Sequence, residues 1–556
     1  MSVRASETRT LVIGLDGACF RLLRPWLEAG DLPCLSRLYE QGIRGDLESV
    51  IPPLSPEAWS TFMTGTHPGQ HGVMNFVSFH PGTYELRFNN GGQVRHETLW
   101  RLLSEAGKSV GVMGVPMTYP PEAVNGYMIA GLETPDRRAV FTHPAELQGE
   151  LRAAVGEYDL HGDFVDVEDP AVYLDRLLAM VDNQAQAACY LLTHRPTDLS
   201  VVVLGMTDRA QHCFWRFHDE NMPVGEASVS PRVADALWHT YRRVDAAVEA
   251  MIEAVPPPRN VMIVSDHGFA PCHTRVRISH WLEERGYLVS RAQQDMSFSL
   301  LRGAWAQAAK HAPRWLKDWL KSSLPGLRSQ LTSFLLLSRV DWSQTKAFAI
   351  CTQHGYLFLN RKERFPQGIV DEAEAEGLTR RLREELMELT DPGTGEPLVA
   401  EVHETRRLYP GPLADELPDL IVEWREGYIA RSQPTERNDG RLIEPLGTSL
   451  EDWSGAHDRH GILLAQGASF RSSLAMEGAR LIDIAPTLLH LLGEAVPDTM
   501  SGRVLTDLFD EDWLRGNPIR YAKGHPEVAP AAPEQTLSRE EEEALSERLR
   551  DLGYID

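Results

Sequence analysis

Residues 11–16 read LVIGLD, a continuously apolar run that ends in a carboxylate. Its length fits a β-strand rather than a membrane span, and its lack of alternation is typical of a strand covered on both faces, as in a parallel sheet. Three similar runs follow, at residues 109–115 (SVGVMGV), 199–206 (LSVVVLGM) and 260–265 (NVMIVS). Helical patterns separate them, at residues 33–41, 99–106 and 173–193. This alternation predicts an α/β fold with a mostly parallel central sheet and helices on both faces.

One long segment breaks the alternation and suggests how the chain is divided. Residues 291–345 are expected to form an inserted helical cap, because their apolar and aromatic residues follow a helical rather than a strand pattern. We therefore predict a core in two parts, residues 1–290 and 346–515. Residues 516–556 are predicted to form a linker and a charged C-terminal helix.

The predicted cap is basic in an acidic protein. The chain of 556 residues carries 55 Lys and Arg against 79 Asp and Glu, a formal charge of −24, which argues against nucleic acid as a scaffold partner. Residues 300–340 instead carry +6, from one acid, Asp318, and seven bases, Arg302, Lys310, Arg314, Lys317, Lys321, Arg328 and Arg339. A solvated helical face, a cap over an anionic substrate and a membrane-surface helix all fit this pattern.

The N-terminal sequence and the cysteines indicate the cellular compartment. MSVRASETRT passes directly into the first strand without an apolar signal region, and no apolar run reaches the roughly 18 residues of a membrane span. The six cysteines form no CxxC pair and lie in or beside apolar stretches. We therefore expect no transmembrane segment, unpaired cysteines and a cytoplasmic location.

Three of the predicted strands end in an aspartate, at Asp16, Asp208 and Asp266. A single aspartate after a strand is commonly a helix cap or a turn residue. Three of them can meet in one crevice, because ligand sites of parallel sheets form beyond the carboxyl ends of the strands. Their mutual repulsion would require cations there.

Two histidines stand where they could bind such cations. His212 follows Asp208 by four residues, which places both on one face of a helix, and His267 directly follows Asp266. A set of nitrogen and oxygen ligands without thiolate fits Zn²⁺ or Mn²⁺. Ser55, before Pro56 and Glu57, reads as a helix N-cap, but a helix N-terminus also stabilises an alkoxide and a phosphate.

Five ordered motifs resemble the alkaline phosphatase superfamily, and within it the type I phosphodiesterase/nucleotide pyrophosphatase branch. They are Asp16, residues 52–73 (PPLSPEAWSTFMTGTHPGQHGV), Asp208 with His212, residues 265–268 (SDHG) and residues 454–464 (SGAHDRHGILL). Their order and spacing match across most of the chain. The resemblance implies an alkaline-phosphatase-like fold and a metal-dependent hydrolase of phosphate esters.

The resemblance also implies a role for each matching residue. Asp16, Ser55, Asp266 and His267 would bind one divalent ion, with Ser55 as the nucleophile. Asp208, His212 and His457 would bind the second, with His460 as the alternative to His457. The ions would be Zn²⁺, or else Mn²⁺, and the substrate a small phosphate ester cleaved through a phospho-serine.

The match departs from the branch at one position. The branch carries a phosphate-binding asparagine after the HG(I/V) element, where this chain has Phe76, so Asn75 is taken as the substitute. This departure leaves open a phosphodiester or nucleotide-like pyrophosphate, a phosphomonoester and a phosphonate as substrates. An enzyme like the cofactor-independent phosphoglycerate mutases and a binding protein on a retained hydrolase fold are the alternative functions. The oligomeric state is also open.

Overall fold

The computed structural model describes residues 8–160, 169–219, 222, 229–290, 340–431, 441–450, 452–524, 541–542 and 545–546. The basic segment 300–340 lies outside the described residues, apart from Val340. Of the predicted C-terminal helix, the described residues Glu541, Glu542, Leu545 and Ser546 are helical. The division into two core parts, cap and tail stays a prediction.

The secondary structure alternates as the sequence predicts over the first half of the chain. The strands are β1 Arg9–Leu15, β2 Ile43–Glu48, β3 Val77–Phe79, β4 Leu86–Phe88, β5 Val110–Met113, β6 Gly126–Ile129, β7 Thr142–His143, β8 Leu199–Leu204, β9 Arg259–Val264, β10 Gly268–Arg277, β11 Ala347–Cys351, β12 Gly355–Leu359, β13 Val399–Glu404, β14 Leu420–Trp424, β15 Gly427–Arg431, β16 Ile443–Pro445, β17 Gly455–Asp458, β18 His460–Gly467, β19 Leu474–Ala475, β20 Ala479–Arg480, β21 Val496–Pro497 and β22 Tyr521–Ala522. The α-helices are α1 Phe20–Ala29, α2 Pro33–Gln41, α3 Ser55–Thr64, α4 Pro68–His71, α5 Leu99–Glu105, α6 Leu147–Val155, α7 Pro170–His194, α8 Met206–His218, α9 Pro231–Ala234, α10 Ala236–Ala254, α11 Ile278–Glu284, α12 Glu372–Met387, α13 Thr405–Leu408, α14 Ile484–Leu491 and α15 Glu511–Gly516.

The central sheet confirms the predicted α/β fold with a mixed, mostly parallel sheet. Among the described residues it has ten strands, in the order β19-β2-β18-β9-β1-β8-β5-β6-β7 with β20 beside β2. The four strands predicted from the apolar runs, β1, β5, β8 and β9, all pair in parallel. Their carboxyl ends therefore meet at one edge of the sheet, and β18 continues it in the antiparallel direction next to β9.

The two faces of the sheet are covered by different helices, as continuous apolar strands require. Leu11, Ile13 and Leu15 pack with helices α1, α2, α7, α8 and α10 in one buried cluster. Val12 packs with α3, α5 and α14 in a second cluster on the opposite face. A third cluster joins α12 to the antiparallel sheet β11-β12-β14-β13.

The second part of the chain reaches the central sheet through β10. This strand follows β9 directly and pairs antiparallel with β17, so that Phe269 lies opposite His457. The pairing carries a residue from late in the chain to the edge where β1, β8 and β9 end. None of the described helices is long and apolar enough to cross a membrane. The six cysteines are all described and all unpaired, in agreement with the sequence.

Candidate active site

One group of potential ligands lies at the ends of β1 and β9. His267 Nε2 lies 3.5 Å from Asp16 Oδ1 and 3.3 Å from Asp266 Oδ2, and all three side chains are buried. Gly17 helps to form the group, because its N–H donates to Asp266 Oδ1 at 3.3 Å. The chain turns here with a positive φ of 71°, which glycine adopts without strain. The ligand atoms of the group lie within 4.8 Å of one another, close enough to share one cation.

A second group lies at the end of β8 and on β17. Helix α8 begins just after β8 and presents Asp208 and His212 from successive turns, so that His212 Nε2 is 3.2 Å from Asp208 Oδ1. His457 on β17 completes the group, with its Nε2 3.1 Å from the same oxygen and 3.0 Å from His212 Nε2. The alternative, His460, is exposed and contacts Asp458.

The two groups adjoin each other, and Ser55 lies beside them. The rings of His267 and His457 stack with centroids 3.6 Å apart. Ser55 Oγ is buried and lies 3.4 Å from His267 Nε2. The expectation that Ser55 caps helix α3 is wrong by one residue: Leu54 is the N-cap, Ser55 is the first helical residue, and its hydroxyl makes no capping bond. That hydroxyl is directed at the two groups instead.

The three histidines are oriented in the same way. Nδ1 of His267 contacts the carbonyl oxygen of Gly268 at 3.1 Å, and Nδ1 of His212 that of Gly455 at 2.8 Å. Nδ1 of His457 contacts the carbonyl oxygen of Pro53 at 2.8 Å. Because a carbonyl oxygen only accepts, each ring carries a proton on Nδ1 and turns Nε2 toward the site. In this orientation Nε2 is the atom that a neutral histidine offers to a metal ion.

The carboxylates carry the electrostatic signature of a cation site. Burial, followed by the neighbouring Asp266 and Asp208, raises the pKa of Asp16 well above its ordinary value. Burial and then Asp208 raise the pKa of Asp266 to about 8. Burial also opposes ionisation of Asp208, but contacts with His212 and His457 outweigh it and hold its pKa well below the ordinary value.

Two oxygens of the first group remain without a hydrogen bond. Asp16 Oδ1 and Asp266 Oδ2 are sealed from solvent and have no hydrogen-bonding partner among the described residues. Unpaired buried oxygens are costly unless a cation neutralises them. Burial lowers the pKa of His267 to about 4, which keeps its ring neutral at physiological pH. The two buried groups are thus consistent with a centre of two divalent ions.

Sequence reasoning missed several residues that support these groups. Trp59 Nε1 donates to Asp16 Oδ2 at 3.0 Å, and the Trp453 ring stacks on His212 with centroids 3.6 Å apart. Gln353 Oε1 accepts from the backbone N–H of His457 at 2.8 Å. Trp59 follows Ser55 by one helical turn and could have been found from that spacing. Gln353 lies outside every motif, so no sequence signal pointed to it.

The structure also shows the surroundings of the two residues considered for phosphate binding. Phe76 is buried in the third hydrophobic cluster with Leu54. Asn75, one residue earlier, has a left-handed backbone with φ of 70°, and its Oδ1 accepts from the N–H of Phe76 at 2.7 Å. Of the two candidates, only Asn75 offers a polar side chain next to helix α3.

The family follows from comparison of the whole chain with known families. The model of the family described as Type I phosphodiesterase / nucleotide pyrophosphatase matches residues 10–458. The chain belongs to this family. As a member of the type I phosphodiesterase family, and thus of the alkaline phosphatase superfamily, it is a phosphoric ester hydrolase. A search among curated proteins found no match.

Solved structures share the fold of this phosphodiesterase-family enzyme at low identity. Phosphonoacetate hydrolase from Sinorhizobium meliloti 1021 is 14% identical, with a TM-score of 0.52, over 87% of this chain and 95% of that one. Murine ectonucleotide pyrophosphatase/phosphodiesterase 5 is 12% identical, with a TM-score of 0.50, over 90% of this chain and 100% of that one. At these identities the likeness establishes the fold and leaves the substrate open.

Proposed function

We propose that this enzyme hydrolyses phosphodiesters through a phospho-serine formed on Ser55, at a centre of two divalent ions, Zn²⁺ or Mn²⁺. The observation that carries the proposal is the position of Ser55 Oγ, 3.4 Å from His267 Nε2 and at the N-terminus of α3. The positive end of the α3 dipole favours an incoming phosphate at the same point.

Each of the two groups of ligand residues would hold one ion. Asp16, Asp266, His267 and the Ser55 oxygen would hold one ion. The other group, Asp208, His212 and His457, would hold the second. When bound, the ions supply positive charge that lowers the pKa of a serine hydroxyl and neutralises the oxygens on phosphorus.

Hydrolysis then proceeds in two successive displacement steps at phosphorus. The Ser55 hydroxyl loses its proton to solvent and its oxygen bonds to phosphorus, while the bond from phosphorus to the leaving alcohol breaks and that alcohol oxygen takes up a proton. A water oxygen then bonds to the phosphorus of the phospho-serine and gives up a proton. At the same time the bond from phosphorus to Ser55 Oγ breaks, Oγ takes up a proton, and the phosphate monoester leaves. Two in-line displacements retain the configuration at phosphorus. A chiral, isotopically labelled phosphorothioate diester would report this retention.

The substrate class is tested by rates on matched aryl esters. We expect bis(4-nitrophenyl) phosphate to be hydrolysed faster than 4-nitrophenyl phosphate, a 4-nitrophenyl phosphonate ester and 4-nitrophenyl sulfate, in Zn²⁺ or in Mn²⁺. A monoester rate above the diester rate would overturn the assignment to diesters. Absence of hydrolysis of all four esters in both metals would contradict an active hydrolase and favour a binding protein on this fold.

A phosphomonoester is the second candidate, because of one residue that lines the same cavity as the nucleophile. This cavity of about 50 Å³ is lined in part by Ser55, Asp16 and Arg209. A guanidinium there would favour the second charge of a monoester dianion. If the monoester rate dominates, Arg209→Met should remove that preference while the diester rate changes little.

The support given by Trp59 to Asp16 provides a test of metal binding. Trp59→Phe keeps an aromatic side chain and removes the N–H bonded to Asp16. It also removes the outer edge of the indole over Gly14, where an added Cβ would lie 2.5 Å from the Trp59 ring. Loss of such a supporting bond should weaken metal affinity by about tenfold. Titration of the chelated protein with Zn²⁺ in a competing indicator measures it.

Trp100→Phe is the matched control for this change. Trp100 Nε1 donates to the buried carboxylate of Glu122 at 2.7 Å, away from both ligand groups. The control should lose a similar hydrogen bond and keep its metal affinity. Equal affinities in the two variants would show that Trp59 does not support the site.

A further inference from the structure

The left-handed backbone at Asn75 is held by a buried glutamate. Asn75 is one of three non-glycine residues with positive φ among the described residues. Asparagine enters this region more readily than most residues, and hydrogen bonds to its backbone select it here. Here the backbone N–H of Asn75 donates to Glu57 Oε1 at 2.7 Å, and Asn89 Nδ2 donates to the Asn75 carbonyl at 2.8 Å.

Glu57 links this loop to the nucleophile helix. It lies in the first turn of α3, two residues after Ser55, and is fully buried. Its Oε1 accepts a second hydrogen bond, from the Tyr356 hydroxyl at 2.7 Å. Because this one oxygen accepts from both Tyr356 and the Asn75 loop, the Glu57 side chain ties the position of Asn75 to the first turn of α3, which carries Ser55.

These bonds leave one polar group of Asn75 available. Its N–H, its carbonyl and its Oδ1 are all engaged, by Glu57, Asn89 and Phe76 respectively. Its Nδ2 donates to no described residue, and it is absent from the polar atoms sealed without a partner. The amide N–H₂ is therefore the part of Asn75 that can meet a substrate oxygen.

A second loop, beside the cavity that adjoins Ser55, is built in the same way as the Asn75 loop. Met117 also has a positive φ, 64°, and its N–H donates to Glu133 Oε2 at 2.7 Å. Its neighbour Pro116 lines the cavity that adjoins Ser55. Two left-handed residues next to the site, each bonded to a buried glutamate, indicate that these glutamates serve the geometry of the site rather than the core alone.

We propose that Glu57 is a positioning residue that acts through Asn75: it holds the Asn75 backbone left-handed so that Nδ2 donates to a phosphate oxygen at Ser55. This inference rests on the proposed phosphodiester hydrolysis. Glu57 would not touch the substrate itself. Through it, the first turn of α3 would fix the positions of both the nucleophile, Ser55, and the phosphate donor, Asn75.

A double-mutant cycle tests whether Glu57 acts through Asn75. Glu57→Leu removes both hydrogen bonds and should lower kcat/KM for bis(4-nitrophenyl) phosphate by about 30-fold or more. Asn75→Gly removes the amide without opposing the positive φ. In the Asn75→Gly background, Glu57→Leu should cost less than about threefold, because the donor that it positions is gone.

Two further variants separate positioning from packing. Glu57→Gln keeps Oε1 as an acceptor for both donors and should stay within about threefold of wild type. Glu122→Leu removes another buried carboxylate, bonded to Trp100 and Thr98, and should lower Tm without coupling to Asn75→Gly. If Glu57→Leu does not fold, Tyr356→Phe takes its place in the cycle, since it frees one side of the same carboxylate.

The outcomes distinguish this inference from the proposed function. Additive effects of Glu57→Leu and Asn75→Gly in an active enzyme would overturn the positioning role alone, as would a Glu57→Gln variant as impaired as Glu57→Leu. A wild-type protein that neither hydrolyses the diester nor binds inorganic phosphate in calorimetry would overturn the proposed function and this inference together.

Discussion

Replacing Ser55 by alanine is expected to lower phosphodiester hydrolysis by at least about 10⁴-fold, because the reaction then lacks the atom that bonds to phosphorus. The fold should persist, since the Ser55 hydroxyl makes no capping bond to α3. Initial rates on bis(4-nitrophenyl) phosphate measure the loss, and far-ultraviolet circular dichroism checks the fold. Rapid quenching of the wild type with a ³²P-labelled diester should trap label on Ser55.

Ser60→Ala is the matched control for this prediction. Ser60 lies on the same helix, is equally buried, and its hydroxyl has no hydrogen-bonding partner among the described residues. The control should retain its activity. A Ser55→Ala enzyme with wild-type rates would exclude Ser55 as the nucleophile, whatever the behaviour of Ser60→Ala.

Removal of the metal ions is expected to make stability depend strongly on pH. In the unfolded chain Asp266 ionises at its ordinary pKa of about 4, whereas burial and Asp208 hold its folded pKa at about 8. The folded, chelated protein therefore binds the proton more tightly. Below about pH 6.5 the lowered pKa of His267 contributes a slope of opposite sign. From there to about pH 8 the free energy of unfolding should fall by about 1.4 kcal/mol per pH unit for a single such carboxyl group. Asp16 adds a change of the same sign.

Urea unfolding of chelated and metal-loaded protein from about pH 6.5 to about pH 8 measures this effect. The loaded protein should lose less stability as pH rises, because cations favour the ionised carboxylates. Asp266→Asn in the chelated state is the control, since an amide does not ionise and its slope should be shallower. A chelated protein that gains stability as pH rises over this range would contradict the assignment of Asp16 and Asp266 as buried, uncompensated carboxylates.

The sequence predicts most accurately the helices and strands whose local hydrophobic pattern matches their burial in the fold. Helix α2 has the predicted bounds of residues 33–41, and β1, β5, β8 and β9 fall within about two residues of the apolar runs. The convergence of Asp16, Asp208 and Asp266 follows from the parallel pairing of these strands, which their continuous apolar sequence already required.

The rest depends on contacts between distant parts of the chain. The sequence placed Ser55 at the N-cap because Pro56 favours the first helical position, but the structure begins the helix one residue earlier. Gln353 supports His457, and Glu57 supports Asn75, by hydrogen bonds between segments that share no sequence motif. The basic segment 300–340 lies outside the described residues, so its role as a cap, a solvated face or a membrane-surface helix stays a prediction.

The pairing of β10 with β17 has a consequence for how the enzyme is made. Asp16 leaves the ribosome early, but His457 is synthesised more than four hundred residues later and reaches the site only when β17 pairs with β10. A nascent chain that ends before β17 therefore contains every residue of the first ligand group, Asp16, Asp266 and His267, but lacks one residue of the second. Full metal loading should follow synthesis of the whole domain, so that a chain stalled before β17 carries at most half of the catalytic centre.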